Sequence, residues 1–309
     1  MLSRVAERLY WLARYLERAE DTARLILVWH QSSLDMPRKA QPGWDRLLEV
    51  LGAQSTFAQT PGVANEKNIV SFAFSERGNP SSIISALTAA RENMRTTREI
   101  MPSETWVQVN SLYLSVARRS NKPLAKGSRH AVLNGVINTC QQISGNLSGT
   151  MNHDAAYQFV RMGSALERAD MTTRIIDVAS ADLTSMSDEG LPYQNMLWIS
   201  VLRSLSAYQS YRLGVRARVN PPDVVEFLLA SNEFPRALGY CLREVESSMK
   251  LLPRSGRALK LLRSVLAELD ATDCSELAGD DLHQFIDDMQ LHLQAIGGII
   301  TETWLSPDQ

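Results

Sequence analysis

A charged segment inside an apolar helical pattern occurs twice in this chain. "RYLERAED" covers residues 14–21 and "SALERADM" covers residues 164–171. The apolar positions around each segment step by fours and threes, which is the spacing of one helix face. They are Val5, Leu9, Leu12, Leu16, Ala19, Ala23 and Ile26 in the first copy, and Ala155, Phe159, Met162, Leu166, Ala169, Thr173 and Ile176 in the second. The pattern predicts two long, equivalent amphipathic helices.

The repeat extends beyond these two helices. "WDRLLEVLGAQSTF" from Trp44 resembles "WISVLRSLSAYQSY" from Trp198, and Pro80 and Pro235 stand at matching places, where a proline suits the first turn of a helix. No run of β-branched residues alternates as a strand would. The sequence therefore predicts an all-α fold, an internally duplicated multi-helix bundle with two pseudo-symmetric halves of six helices, residues 1–150 and 151–309, packed as one domain.

The predicted helices follow from periodicity and from capping signals. Ser3, Asn79 and Asp154 are expected as N-caps, because their side chains accept hydrogen bonds from free helix N–H groups. The predicted ranges are 3–33, 44–59, 66–77, 80–100, 103–119 and 128–148 in the first half, and 154–182, 193–212, 221–231, 233–251, 256–272 and 279–304 in the second.

Composition bounds the class of protein. Apolar residues make up 44% of the 309 positions, which is enough for a sizeable core, and the net charge is only −2. This balance gives no electrostatic reason to expect a nucleic acid or membrane partner. The N-terminus has no apolar signal-peptide core, and the three separated cysteines fit reduced thiols. We expect a cytoplasmic protein.

The two Glu-Arg pairs differ in the partners that their own helices offer. On a helix, charges interact at three or four positions, so Glu17 has Arg14, whereas Glu167 and Arg168 have no helical counter-ion. Isolated buried charges cost several kcal/mol. We therefore predict crossed pairing, Glu167 with Arg18 and Glu17 with Arg168. The full candidate network, structural or ligand-binding, is Glu17, Arg18, Glu20, Arg24, Glu167, Arg168, Asp170 and Arg174.

A second set of basic residues lies on the fourth predicted helix. Arg91, Arg95 and Arg98 are spaced as one stripe, which could receive an anion or an acidic partner. Nearby glutamates favour a solvated face. Glu246 stands where Arg91 maps in the second half, and this absence of the stripe from the second copy is the argument for function.

Signals for catalysis and metal binding are weak. Glu17-x-x-Glu20 and Glu167-x-x-Asp170 have the spacing of a di-iron helix pair but lack its histidine, so no metal is predicted. No P-loop or G-x-S-x-G motif is present, and no catalytic residue and no cofactor are assigned. The last helix carries two pairs at i, i+4 that are expected to form exposed salt links, His283 with Asp287 and Asp288 with His292.

Several segments together resemble the alpha-E domain family. They are "MLSRVAERLYWLARYLERAEDTARLI", "ERADMTTRIIDV", "AARENMRTTREIMPSETWVQVNSLY" and "NPSSI". The resemblance covers almost the whole chain and implies an all-helical bacterial protein. It also implies a genomic association with circularly permuted ATP-grasp proteins, with transglutaminase-like proteins nearby, in peptide or amide-bond biosynthesis.

Two functional hypotheses follow. The first is a helical binding or scaffold protein that works with an ATP-grasp ligase. The second is an enzyme in which Glu17 and Glu167 act as acid and base, while Arg18 and Arg168 clamp an acyl, phosphoryl or peptide substrate. An accessible cavity at the Glu-Arg pairs would favour the enzyme, and a dry, fully paired network would favour the scaffold.

Overall fold

The computed structural model describes residues 3–37, 41, 43–184, 193–216 and 218–306. Across these residues the secondary structure is helical and no strand forms, so the prediction of an all-α fold is confirmed. The fourteen α-helices of the described ranges are α1 (Ser3–Asp35), α2 (Trp44–Val50), α3 (Gln54–Ala58), α4 (Glu66–Ser75), α5 (Ile83–Thr96), α6 (Ser103–Ala117), α7 (Lys126–Thr150), α8 (Ala155–Thr184), α9 (Gln194–Ser204), α10 (Tyr208–Gly214), α11 (Pro221–Ala230), α12 (Leu238–Lys250), α13 (Gly256–Ala271) and α14 (Gly279–Ile300).

Two compact units divide the chain. Unit 1 comprises residues 1–29 and 43–164, and unit 2 comprises residues 30–42 and 165–309. The two longest helices, α1 and α8, therefore each contribute residues to both units. The predicted boundary between residues 150 and 151 divides sequence repeats, and as a repeat boundary it stays a prediction.

The prediction of six helices per half is wrong, because the described residues of each half already form seven α-helices. The predicted helices 44–59 and 193–212 each break in the middle, at Gly52 and Ser206, where φ is 59° and 56°. Around Gly52, the N–H of Ala53 donates to Leu48 O at 2.8 Å; the equivalent bond after Ser206 joins Ala207 N to Leu202 O at 2.7 Å. Both breaks are Schellman motifs, which end a helix on a left-handed residue.

One of the three predicted N-caps is wrong, and for Ser3 the prediction stays open because the residues before it lie outside the described ranges. Asn79 lies in the turn before α5, where its Oδ1 accepts from Ser81 N, while the cap is Ser82, whose Oγ accepts from Ser85 N at 3.2 Å. Pro80 therefore precedes the helix. Helix α1 begins at Ser3 itself. Asp154 is confirmed as the cap of α8, since its Oδ1 accepts from Ala156 N at 2.9 Å.

Helices α1 and α8 share a pattern of burial. Between residues 11–28 and 161–178, buried and part-exposed side chains alternate in the same order except at two positions. The hydroxyl of Thr22 donates to Ser81 O at 3.4 Å within unit 1, and the matching Thr172 donates to Arg236 O at 2.7 Å within unit 2. Each acceptor directly follows its proline. These are features that a duplication would leave, although the duplication itself stays a prediction.

An ion pair between a buried arginine and a part-exposed glutamate joins α7 to α4 in unit 1. Arg129 of α7 is 2% exposed, and its Nη1 lies 2.6 Å from Oε1 of Glu66 at the start of α4. Lys126 contacts the other carboxylate oxygen at 2.7 Å from its 70% exposed side chain. Burial raises the pKa of Glu66, but the hydrogen bonds and charges of these two cations outweigh it and hold the pKa below its usual value.

Candidate functional site

Three carboxylates of α1 are buried in unit 1: Glu17, Glu20 and Asp21. Glu20 accepts a hydrogen bond from Nη2 of Arg24 one turn later, as predicted for this pair, and a second from Nε2 of Gln141 on α7 at 3.3 Å. The sequence analysis missed Gln141, because a contact between distant helices leaves no spacing signal. The acidic side of α1 therefore faces α7.

Cys140 of α7 lies beside this acidic cluster. Burial raises the pKa of its thiol well above the usual value, and the charges of Glu20, Glu17 and Asp21 raise it further. The thiol is held protonated and is a poor nucleophile. Cys241 and Cys274 are also buried and form no disulfide, and burial raises the pKa of Cys274 to about 11.

Two arginines of α1, Arg14 and Arg18, contact aromatic side chains on the same helix. Arg14 donates to Tyr10 Oη at 3.2 Å, and its guanidinium carbon lies 5.1 Å from the ring centroid of Trp11. Arg18 is part-exposed and lies 5.7 Å from the ring centroid of Tyr15. Stacking against rings fixes the direction of a guanidinium group while leaving its edge available for hydrogen bonds.

The second Glu-Arg pair lies in unit 2 and, like the first, combines a buried glutamate with a part-exposed arginine. Glu167 is buried, Arg168 is part-exposed, and Asp170 forms the predicted pair with Arg174, with Arg174 Nε 3.0 Å from Asp170 Oδ2. The crossed pairing of Glu167 with Arg18, and of Glu17 with Arg168, stays a prediction.

The stripe of Arg91, Arg95 and Arg98 is divided among different contacts. Arg95 pairs with Glu92 at 2.7 Å on the exposed face of α5. Arg91 donates from Nε to Asn110 Oδ1 at 2.7 Å, and the guanidinium carbons of Arg91 and Arg98 lie 5.8 and 5.3 Å from the ring of Trp106.

Unit 2 reverses the polarity of the Arg91 contact. Glu246 of α12, which maps to Arg91, accepts from Arg263 Nε of α13 at 2.8 Å and pairs with Lys250 at 2.9 Å. Hydrogen bonds from Arg263 and Lys250 lower the pKa of Glu246. Both units thus have a side-chain hydrogen bond between these two helices, but the residue on the first helix is basic in unit 1 and acidic in unit 2. The absence of Arg91 from the second copy therefore has a structural explanation as well as the functional one.

The two histidines of α14 were predicted to pair along their own helix, but their shortest contacts are with residues of other helices. His283 Nδ1 lies 2.6 Å from Asp177 Oδ1 of α8, and its Nε2 is 3.7 Å from Asp287 Oδ2. The predicted link of His292 with Asp288 is wrong: the described contact of His292 is to Glu268 of α13 at 3.1 Å, and Asp288 accepts from Gln284. The candidate metal ligands within the described residues are Asp177, His283 and Asp287, but both ring nitrogens of the histidine already face carboxylates.

The geometry defines a class, an all-helical protein that carries a buried-glutamate Glu-Arg pair on each of its two longest helices. Residues 1–305 match the Alpha-E family, described as "A predicted alpha-helical domain with a conserved ER motif". The chain belongs to this family. In the described part of the chain, none of the helices combines the length and apolarity that crossing a bilayer requires.

Curated relatives occur in mycobacteria. Uncharacterized protein Mb2597 of Mycobacterium bovis and Uncharacterized protein Rv2567 of Mycobacterium tuberculosis are each 21% identical to this chain over 332 aligned positions. The match covers 98% of this chain and 37% of each relative. The chain thus spans little more than a third of the length of these relatives. No solved structure matches it.

Proposed function

We propose that this protein is a helical binding or scaffold partner of an ATP-grasp ligase in a peptide or amide-bond biosynthetic system. The observation that carries the proposal is the burial of both Glu-Arg glutamates: Glu17 is 4% exposed and Glu167 is 2% exposed. A general acid or base must come within hydrogen-bond reach of its substrate. Side chains this deeply enclosed are better suited to holding helices together.

The need for a partner is supported by the relatives. A stretch equivalent to this whole chain makes up 37% of each mycobacterial protein, so there the helical domain is joined to further polypeptide. This arrangement supports a role in which the helical domain acts together with another domain, either in the same chain or in a separate protein. The ATP-grasp identity of the partner rests on the family resemblance of the Glu-Arg segments, and a transglutaminase-like protein is a second proposed partner.

The test is purification of the tagged full chain from its own cells, with mass spectrometry of the proteins that remain bound. An ATP-grasp protein should be recovered in comparable amount, and the isolated chain should bind no ATP by isothermal titration calorimetry. Recovery without any ATP-grasp protein would contradict the proposed partner. The matched variant pair is Arg98→Glu and Arg95→Glu: of these two arginines, Arg98 lies against Trp106, whereas Arg95 is paired with Glu92 on its own helix.

An enzyme is the second candidate, and one observation favours it. Arg18 and Arg168 are part-exposed although the adjacent glutamates are buried, and a part-exposed guanidinium can grip a carboxylate or phosphate with two hydrogen bonds. Tight ATP or phosphate binding that is lost in both Arg18→Gln and Arg168→Gln, with unchanged melting temperature, would support this candidate over the scaffold.

A further inference from the structure

An open groove runs between α6 and α7 in unit 1. Its volume is about 460 Å³, and its apolar lining is Val107, Leu112, Val116, Ala131, Val132 and Val136. Within α6 the lining reaches from residue 107 to residue 116, which corresponds to about 14 Å of helix at 1.5 Å per residue, and it continues to Arg119 just beyond the end of the helix. The groove is therefore elongated and follows about two and a half helical turns.

Apolar side chains extend from the groove onto the surface of α6. Val107 is 60% exposed and Leu114, two turns later on the same helix, is 44% exposed. On the α7 side, Gly135 is exposed, and a Cβ placed on it would have nothing within 4 Å. Aliphatic surface next to an apolar groove is typical of a protein interaction site.

The charge around the groove has one sign. No Asp or Glu occurs between Glu104 and Asp154, a stretch that includes nearly all of α6 and the whole of α7. At the end of α6 and in the connection to α7, the exposed cations are Arg118, Arg119 and Lys122, whereas Lys126 at the start of α7 is already paired with Glu66. Arg119 lines the groove, and its Nη1 donates to Ser115 O at 3.0 Å. One end of the groove is therefore basic, and its walls carry no negative charge.

The corresponding helix pair of unit 2 has a different surface. Helices α13 and α14 carry six carboxylates, Glu268, Asp270, Asp280, Asp281, Asp287 and Asp288, and they are linked by the contact of His292 with Glu268 at 3.1 Å. A helix pair at this place in the chain order therefore tolerates acidic residues. The lack of them on α6 and α7 is a property of this surface and is not required by the helical hairpin.

We propose that the groove between α6 and α7 binds an amphipathic helix of a partner protein, with its apolar side in the groove and Asp or Glu side chains near Arg119 and Lys122. The match of an acidic helix to the basic, acid-free groove is the argument for this occupant. Helix-in-groove recognition uses apolar side chains at i, i+3, i+4 and i+7, which suits an elongated aliphatic lining. The groove lining contains no aromatic side chain for base stacking, which disfavours single-stranded nucleic acid. The proposal does not depend on the partner being an ATP-grasp ligase.

The test is selection from a displayed library of amphipathic helical peptides as long as α6, 15 residues, with leucine fixed on one face and the other positions randomised. The peptides selected on the full chain should be enriched in Asp and Glu near one end. Their affinity should fall about tenfold or more with Gly135→Leu, which fills the groove. The affinity should be unchanged with Gly145→Leu, which is the matched control. Gly145 is an exposed glycine of the same helix, and it lies outside the groove lining. Both changes favour helix formation, so both variants should fold.

A second pair of variants tests the charge. Arg119→Glu should weaken the selected peptides about tenfold and remove most of their salt dependence, whereas Arg118→Glu, outside the lining, should have a smaller effect. Failure to select any peptide, or selection of peptides that are insensitive to Gly135→Leu, would overturn the proposal. So would groove-dependent binding of a single-stranded oligonucleotide or of phosphatidylglycerol vesicles, or self-association that Gly135→Leu abolishes, because each names a different occupant.

Discussion

Gly163 of α8 packs directly against the main-chain carbonyl oxygen of Tyr10 in α1. A Cβ on Gly163 would clash with this oxygen and would lie 3.2 Å from Cβ of Ala13. Ala13 and Gly163 are 150 positions apart, so they hold the same place in the two copies of the Glu-Arg helix. At this point the two long helices pack so closely that only glycine leaves room for the backbone.

Gly163→Ala should destabilise the protein by about 1–3 kcal/mol, because the added methyl group forces the helices apart. The change would be favourable in an unpacked helix, by about 1 kcal/mol. Gly145→Ala supplies that comparison, since a Cβ there meets nothing within 4 Å. Urea unfolding of both variants measures the difference, and equal stabilisation in both would contradict close packing at Gly163.

Glu167→Gln should lower the free energy of unfolding by about 1–3 kcal/mol if Glu167 pairs with Arg18 as we propose, because the part-exposed guanidinium of Arg18 would lose its counter-charge. The double exchange Glu167→Arg with Arg18→Glu should recover part of the loss. Thermal unfolding of the single and double variants measures this coupling. Wild-type stability in Glu167→Gln, together with loss of the protein's cellular role, would instead indicate a ligand site.

Arg129→Met should destabilise unit 1 by about 2 kcal/mol, less than a fully buried pair would lose, because its partner Glu66 is 22% exposed. Lys126→Met is the matched control. It removes the other cation on the same carboxylate, but from an exposed side chain, and should change stability by at most about 1 kcal/mol. Similar losses in the two variants would show that burial of Arg129 is unimportant.

His283 should make stability depend on pH. Its hydrogen bond to Asp177 raises its pKa in the folded protein. Because the pKa of His283 is higher in the folded than in the unfolded protein, protonated His283 stabilises the fold. This stabilisation is complete below the unfolded pKa of about 6.5 and is lost as the pH rises through the folded-state pKa. The melting-temperature difference between wild type and His283→Gln should therefore be largest below pH about 6.5 and should shrink above it. A difference that does not change with pH would contradict a charged pair.

Ser206 and Gly52 occupy the same position in two equivalent turns, and exchanging serine and glycine should have opposite effects on stability at the two positions. Both adopt positive φ, which costs an L-residue about 1–2 kcal/mol and costs glycine little. Ser206→Gly should therefore stabilise the protein, and Gly52→Ser should destabilise it by a similar amount. Denaturant unfolding of the two variants should give shifts of opposite sign, and shifts of the same sign would mean that the turns differ in strain.

The sequence predicted most of the helices because their apolar stripes are long and regular. It did not predict the breaks at Gly52 and Ser206. There the apolar period continues through the turn, and the left-handed conformation of a serine has no strong sequence signal. The pairs Glu20–Arg24 and Asp170–Arg174 were predictable from spacing along one helix.

Contacts between helices were harder to predict. Gln141 beside Glu20, Asp177 beside His283 and Asn110 beside Arg91 join residues from 19 to 121 positions apart. Such pairs depend on how the helices pack, and the spacing of residues within one helix does not encode it. The same reason explains why His292 pairs with Glu268 of α13, whereas spacing along α14 predicted Asp288.

The division of the two long helices between units has a consequence for how the protein can be cut. The chain passes from one unit to the other at residues 29/30, 42/43 and 164/165. A fragment that ends at residue 150 would lack residues 151–164 of unit 1 and would carry residues 30–42 without the rest of unit 2. Neither sequence repeat therefore contains all the residues of one unit, and a fragment cut at residue 150 is expected to be less stable than the full chain.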